Sequence, residues 1–224
     1  MKKKLQWLFP IITYIIAVIL VIIAFNVKDK IVIDNILAAL IVPLFSFLFP
    51  IVSKLIKRDI PLWLNVLVCI EMLLCVVGGN IYNVYKDIAL YDIFLHIYFG
   101  FSCSAIFYYF ILHFQNGNSI NKFVLYTLLF LAVLGMGAIW EFWEYACDLT
   151  TGGDGQMVNE SIALGKSPVS DTIEDMFVTI FGVLLFYLLI FIDYKFKNKL
   201  LANFKRCDDG CEGISRACDE NIKS

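Results

Sequence analysis

Charge is what this chain has least of. Only 17% of its 224 residues are Asp, Glu, Lys or Arg, against 60% hydrophobic. Soluble domains carry about 25% charged residues, so an ordinary water-soluble core is excluded. Histidine is nearly absent, at two residues, which disfavours a three-histidine catalytic zinc site. There is no Gly-x-Ser-x-Gly, no His-Glu-x-x-His and no Walker-type phosphate loop. Serine-hydrolase, zincin and nucleotide-motor chemistries therefore have no signature here. Seven cysteines do not make a disulfide framework. Cys69, Cys75 and Cys103 fall inside apolar stretches, and Cys207, Cys211 and Cys218 lie on a polar tail expected in the reducing cytoplasm. Cys207-x3-Cys211 also lacks standard zinc spacing and a nearby histidine.

What the chain does have is long apolar runs. A bilayer span needs roughly 20 mostly apolar residues. Six stretches qualify, at about 8–25, 32–52, 61–79, 91–112, 123–147 and 172–193. The expected fold is all-α, a polytopic bundle of about six transmembrane helices over residues 1–198, followed by a polar cytoplasmic tail over 199–224. Pro43 falls within the second span and should bend it. The N-terminal Met-Lys-Lys-Lys resembles the start of a signal peptide. The apolar run to Phe25 is too long, however, and Phe25-Asn26-Val27 is no small-residue cleavage site, so a retained anchor is expected.

The bases are distributed unevenly. With six spans and the N-terminus inside, the inner side holds Lys2, Lys3, Lys4, Lys54, Lys57, Arg58, Lys122 and seven more from Lys195 to Lys223, and the outer side only Lys28, Lys30, Lys86 and Lys166. That is 14 against 4, the orientation the positive-inside rule selects. Both termini are then cytoplasmic and the chain is a multi-pass protein of the cell membrane, its expected source bacterial. Of the 20 acids, 12 fall at or near the outer side. Such a surface attracts cations and repels anions; lipid is the expected partner, and nucleic acid is not.

Three groups of ionisable residues converge on one predicted depth. Asp92/His96, Glu141/Glu144 and Asp171/Glu174/Asp175 lie on the fourth, fifth and sixth spans. Members of each group are three or four residues apart, so they share a helix face. The fourth span starts at the outer side, the fifth ends there and the sixth starts there, so all three bring their groups to one level. Ionisable groups at the edge of lipid are costly unless they face a partner or a cavity, and mark functional sites by default.

Carboxylates with one imidazole suit Mg²⁺, Mn²⁺, Ca²⁺ or Zn²⁺. The candidate ligands of a divalent ion are Asp92, His96, Glu141, Glu144, Asp171 and Asp175. Glu141 and Asp175 are the candidate catalytic residues, since crowded carboxylates hold raised pKa values suited to general acid or base work. The alternative is structural: Asp171 caps the sixth helix, and Glu174 and Asp175 favour its N-terminal dipole. Glu71 lies mid-span, where an isolated charge costs at least about 2.5 kcal/mol. It is either a protonated, hydrogen-bonded group or a relay below the outer cluster. His113 is expected at a solvated interface, and Asn80 and Asn83 could supply polar walls.

The connection from about Asp148 to Ser170 opens with Thr-Thr-Gly-Gly-Asp-Gly, which excludes a rigid helix at its start. Its length fits a lid or re-entrant segment over the site, or a plain solvated loop. Small residues flank the charged groups: Gly135, Gly137 and Ala138 before Glu141, Gly100, Ser102 and Ser104 after His96, and Gly182 after Asp175. They let transmembrane backbones approach closely.

The segments Tyr91-Asp92-Ile-Phe-Leu-His96, Trp140-Glu141-Phe-Trp-Glu144 and Asp171-Thr-Ile-Glu-Asp175, with Gly182 beyond, resemble the YjdF-like family of uncharacterised bacterial membrane proteins over residues 85–190. They are more loosely similar to the VanZ-like proteins linked to glycopeptide resistance, from which Glu144 and Thr179 depart. The resemblance implies a membrane protein and supplies no reaction. Three functional classes stay open: a metal-assisted enzyme on a lipid or envelope precursor, a cation or proton transporter using Glu71, and a non-catalytic envelope or resistance factor.

Overall fold

The computed structural model describes residues 2–27, 36, 39–56, 60–75, 84, 88, 90–114 and 120–196. These residues are helical or connect helices, and no strand occurs among them. The helices are α1 (Lys2–Val27), α2 (Leu48–Ile56), α3 (Leu62–Met72), α4 (Tyr91–Phe114), α5 (Lys122–Thr151), α6 (Val158–Ala163) and α7 (Ser170–Lys195). Five helical stretches are long and apolar enough to cross a membrane, Leu5–Asn26, Ala39–Ile56, Tyr91–Phe114, Lys122–Thr150 and Ser170–Lys195. The third expected span is described over Leu62–Cys75, a shorter apolar helix. Its last residues, Asn80 and Asn83, the basic residues Lys28, Lys30 and Lys86, and the cysteine-bearing tail lie outside the described residues. The all-helical membrane architecture read from the apolar runs is the one the chain adopts.

The chain divides into two compact units, Met1–Tyr98 and Phe99–Ser224. The division falls inside α4, which is unbroken across it. In the first unit, α1 buries Gln6, Pro10, Thr13, Ala17, Val21 and Ala24. That stripe recurs every three or four residues, as one helix face must. Its opposite face exposes Ile11, Ile12, Ile15, Ile19, Ile22 and Ile23. A soluble helix would place these the other way round. Small and polar residues inside, with branched apolar ones outside, is the pattern of a helix that packs in lipid.

Val21 and Ala24 join Ala39 and Val42 in a small core, against which Ile36, Met72 and Cys75 pack. Pro43 does interrupt its span. The six residues Val42–Phe47 form a 3₁₀ turn with the proline at its start, and the α-helix resumes at Leu48. Proline removes one donor and clashes with the preceding turn, and the tighter winding accommodates both. Ser46 donates to the Pro43 carbonyl at 2.6 Å within it.

In the second unit α5 buries Leu125, Leu129, Val133, Gly137 and Glu141, one residue in every four. It packs against α7, whose buried face is Asp175, Thr179, Gly182, Val183, Phe186 and Asp193. Phe186 is wholly buried and meets Phe101 and Tyr108 edge-on, with centroids at 5.5 and 5.6 Å. The Tyr187 hydroxyl donates to the Tyr126 carbonyl. Exposed Leu128, Leu131, Ile139, Phe142, Phe177, Phe181, Leu184 and Leu188 cover the outer faces of α5 and α7.

Two sequence expectations are corrected. The fifth span does not stop near Cys147; α5 runs on to Thr151 and ends where Gly152 takes the left-handed conformation (φ 69°). Glycine adopts that conformation without a Cβ clash and is the usual residue just past a helix end. The sixth helix is not capped by Asp171. It starts at Ser170 with Val169 at the N-cap, and Asp171 stands in its first turn.

Candidate metal centre

Gly100 is the point from which the site can be built. A Cβ there would collide with the Thr179 carbonyl and lie 3.2 Å from the Gly182 Cα, so only glycine permits this approach of α4 to α7. Gly137 of α5 reaches the same turn of α7. A Cβ there would stand 3.2 Å from the Met176 sulfur and 3.9 Å from the Thr179 methyl. Thr179 is therefore flanked by two glycines on two helices. Close backbone approach through small residues is the usual basis of packing between membrane helices.

The ionisable residues lie at fixed distances along each rod from this crossing. On α4, His96 and Asp92 are one and two turns before Gly100. On α7, Asp175 is one turn before Thr179 and Asp171 two. On α5, Glu141 is one turn after Gly137 and Glu144 close to two. Four residues of helix rise about 6 Å, so each helix presents its first ionisable group about one turn from the crossing. The two glycines fix the register of α4 and α5 against α7 at Thr179.

Asp92, His96 and Asp175 each bring one ligand atom, and the three atoms lie within 4.8 Å of one another. Among the described residues this is the set of His, Cys, Asp and Glu side chains grouped closely enough for one metal ion. Asp92 Oδ1 is 3.7 Å from His96 Nε2. Asp175 is only 5% exposed, and a carboxylate so buried needs compensation from an opposite charge or hydrogen bonds. Oxygen and imidazole donors on helical supports form the kind of set that divalent cations take.

The other candidates are placed differently. Glu141 is also 5% exposed but is not a member of the group. Its backbone carbonyl accepts from the Gln156 side chain at 3.3 Å. Glu144 accepts from the Trp140 indole at 2.8 Å, one turn back on its own helix. Asp171 is half-buried in the first turn of α7 and outside the group. Glu174 faces solvent, and both its oxygens accept from Lys166, at 2.9 and 3.0 Å. Glu71 is buried on α3, in the first unit, as an acid in mid-span must be. His113 ends α4 and stacks on Tyr109 at 5.3 Å.

Two residues escaped the sequence reading. One is Asp193, which is 1% exposed near the far end of α7. Asp148 looked like the first residue of the long connection. It instead accepts from the amides of Gly155 and Gln156, at 2.6 and 3.0 Å, and folds the connection back onto α5. Asp followed seven residues later by Gly, beyond a Gly-Gly pair, was the available signal.

A family model described as predicted membrane protein (DUF2238) matches residues 8–195. No curated protein matches the chain, and no solved structure does.

Proposed function

The chain belongs to the DUF2238 family of predicted membrane proteins, and from that premise we propose that it binds one divalent cation through Asp92, His96 and Asp175 and uses it at the membrane boundary. The grouping of their three ligand atoms within 4.8 Å is the observation that carries this reading. Three protein ligands leave coordination positions open, as catalytic metal sites do and closed structural sites do not. Mixed oxygen and imidazole donors favour Mn²⁺ or Zn²⁺ over Ca²⁺ and Mg²⁺, which prefer oxygen alone. A bound cation lowers the pKa of its water. Glu141, buried one turn beyond Gly137, is the residue we assign to take that proton. Glu144 and Asp171 add negative field. The reaction class is metal-assisted attack on a lipid or envelope precursor.

The topology we propose has residues 1–198 in a bacterial cell membrane as six spans, both ends in the cytoplasm with the tail 199–224. The 14-to-4 asymmetry of basic residues supports it, and it opens the cation site on the extracytoplasmic side. The YjdF-like resemblance, carried by the same residues, fits this family membership. The VanZ-like one adds nothing to it. Transport through Glu71 has no comparable grouping behind it. A non-catalytic factor whose polar groups merely lock the helices would bind no ion.

Purified chain, stripped with chelator in detergent and titrated with Mn²⁺ while free ion is counted by electron paramagnetic resonance, decides between them. One ion per chain is expected in the wild type and a large loss in Asp175→Asn and His96→Gln. A wild type that takes up no stoichiometric ion sinks the proposal, as do variants that bind unchanged.

A further inference from the structure

The connection between α5 and α7 is built unlike a loop that lives in water. Segments exposed to water leave backbone groups for solvent to satisfy, whereas segments near lipid must satisfy their own. From Gly152 to Ser170 ten amides find partners inside the segment or on its flanking helix turn. Gly152 donates to the Asp148 carbonyl, Met157 to Asp154, Ser161 to Met157, Leu164 to Glu160, Gly165 to Ile162, Lys166 to Ser161 and Ser170 to Ser167. The Asp148 carboxylate takes Gly155 and Gln156, and the Asp154 carboxylate takes Asn159. Lys166, the one cation of the segment, is matched by Glu174 at 2.9 Å.

Its exposed surface carries polar Asp154, Asn159, Glu160 and Lys166, and beside them large apolar side chains. Ile162 is 55% exposed, Leu164 66% and Val169 60%, and Leu149, on the last turn of α5, is 68% exposed. The exposed apolar surface continues in sequence onto the lipid-type faces of both neighbours, through Phe142, Trp143 and Tyr145 on α5 and Ile173 and Phe177 on α7. Exposed apolar side chains on both flanking membrane helices and on the segment that joins them identify the occupant as the bilayer itself.

We propose that residues 152–169 form an interfacial segment, seated at the boundary of headgroups and acyl chains with Ile162, Leu164 and Val169 turned into lipid. Such segments lie in the membrane plane with their apolar side about 5–10 Å deep. The segment brings Gln156 to the Glu141 carbonyl, so it packs against the end of α5 that carries the acid. An amphiphile already in the bilayer then reaches that end without leaving lipid. The seating of the segment does not depend on the cation and stands or falls separately.

Spin labels on single cysteines at positions 162 and 164, in a cysteine-free background reconstituted into phosphatidylcholine vesicles, test this by collision with oxygen and with a water-soluble nickel chelate. Labels at 162 and 164 should favour oxygen, as should a label at position 177 on the exposed face of α7, and a label at position 160 should favour nickel. Nickel-dominated collision at 162 and 164 overturns the proposal. Protection that vanishes when the protein is diluted in lipid would assign the surface to a second copy, and overturns it equally. Hydrogen exchange of the unlabelled wild type in the same vesicles guards against damage by labelling. Amides of residues 155–166 should exchange at least tenfold more slowly than an unstructured peptide, and exchange at the unstructured rate counts against the proposal.

Discussion

Asn65 supplies the hydrogen bond that Pro10 cannot. Pro10 sits inside α1 and has no amide hydrogen, so the Gln6 carbonyl one turn earlier loses its intrahelical donor. The Asn65 side chain of α3 donates to that carbonyl at 2.7 Å, and the Gln6 side chain in turn donates to the Ile60 carbonyl at the entrance to α3. Both side chains are buried. A local defect in one helix has become the docking point for another.

Asn65→Ala should therefore destabilise the protein by about 1–3 kcal/mol, the range for stranding a buried polar group. In a Pro10→Ala background, where the helix supplies its own donor, the same change should cost much less. Thermal unfolding in detergent across the four proteins of this cycle checks the coupling. Equal costs in both backgrounds would separate Asn65 from Pro10.

Gly100→Ala is expected to lower stability by about 1–3 kcal/mol through overpacking, since its methyl would strike the Thr179 backbone, which cannot swing away as a side chain can. Gly135→Ala on α5 meets open space and should be neutral or mildly stabilising, because alanine is the better helix former. Melting temperatures of the two variants, side by side, test whether the crossing at Thr179 is as tight as the geometry says.

Cation affinity should fall by at least about tenfold in Asp175→Asn, losses of 10–100-fold being usual even for residues behind the ligands. Glu174→Gln should bind as the wild type does, because Glu174 spends both oxygens on Lys166 at the surface. Isothermal titration with Mn²⁺ distinguishes the two acids, which are adjacent in sequence and differ only in the face they take.

The same affinity should depend on pH through His96. A proton and a metal ion compete for the ligating nitrogen, so binding is favoured where the imidazole is neutral and weakens as pH drops through its titration. His96→Gln should remove this part of the pH dependence along with much of the affinity. Titrations at pH 5.5 and 7.5 on both proteins measure it; a wild-type affinity that is flat between them counts against His96 as a ligand.

The helices themselves were legible because long apolar runs leave few alternatives, and Pro43 marked its own break. Helix ends were less so. The continuation of α5 to Thr151 turns on the backbone sign at Gly152, where Thr150 and Thr151 argued for an earlier stop. At the site, periodicity grouped residues on faces but could not rank them. Glu174 and Asp175 are neighbours in sequence, yet one bonds a surface lysine while the other is buried beside His96. That difference arises from which residue follows the Thr179–Gly182 face, which only the packing partner defines. The bond that compensates Pro10 was not legible, because Asn65 lies 55 positions away, beyond any local pattern.

The uneven apolarity of the first unit also bears on how the protein is made. Leu5–Asn26 is the most apolar of the long candidate spans among the described residues, which favours its transfer into lipid. The described helix Leu62–Cys75 buries Asn65 and Glu71, polar groups that need partners inside the membrane. Its polar side chains become tolerable once the earlier helix is there to receive them. Synthesis from the N-terminus delivers the two in that order, so the Gln6 groups that bond Asn65 and Ile60 are made before their partners.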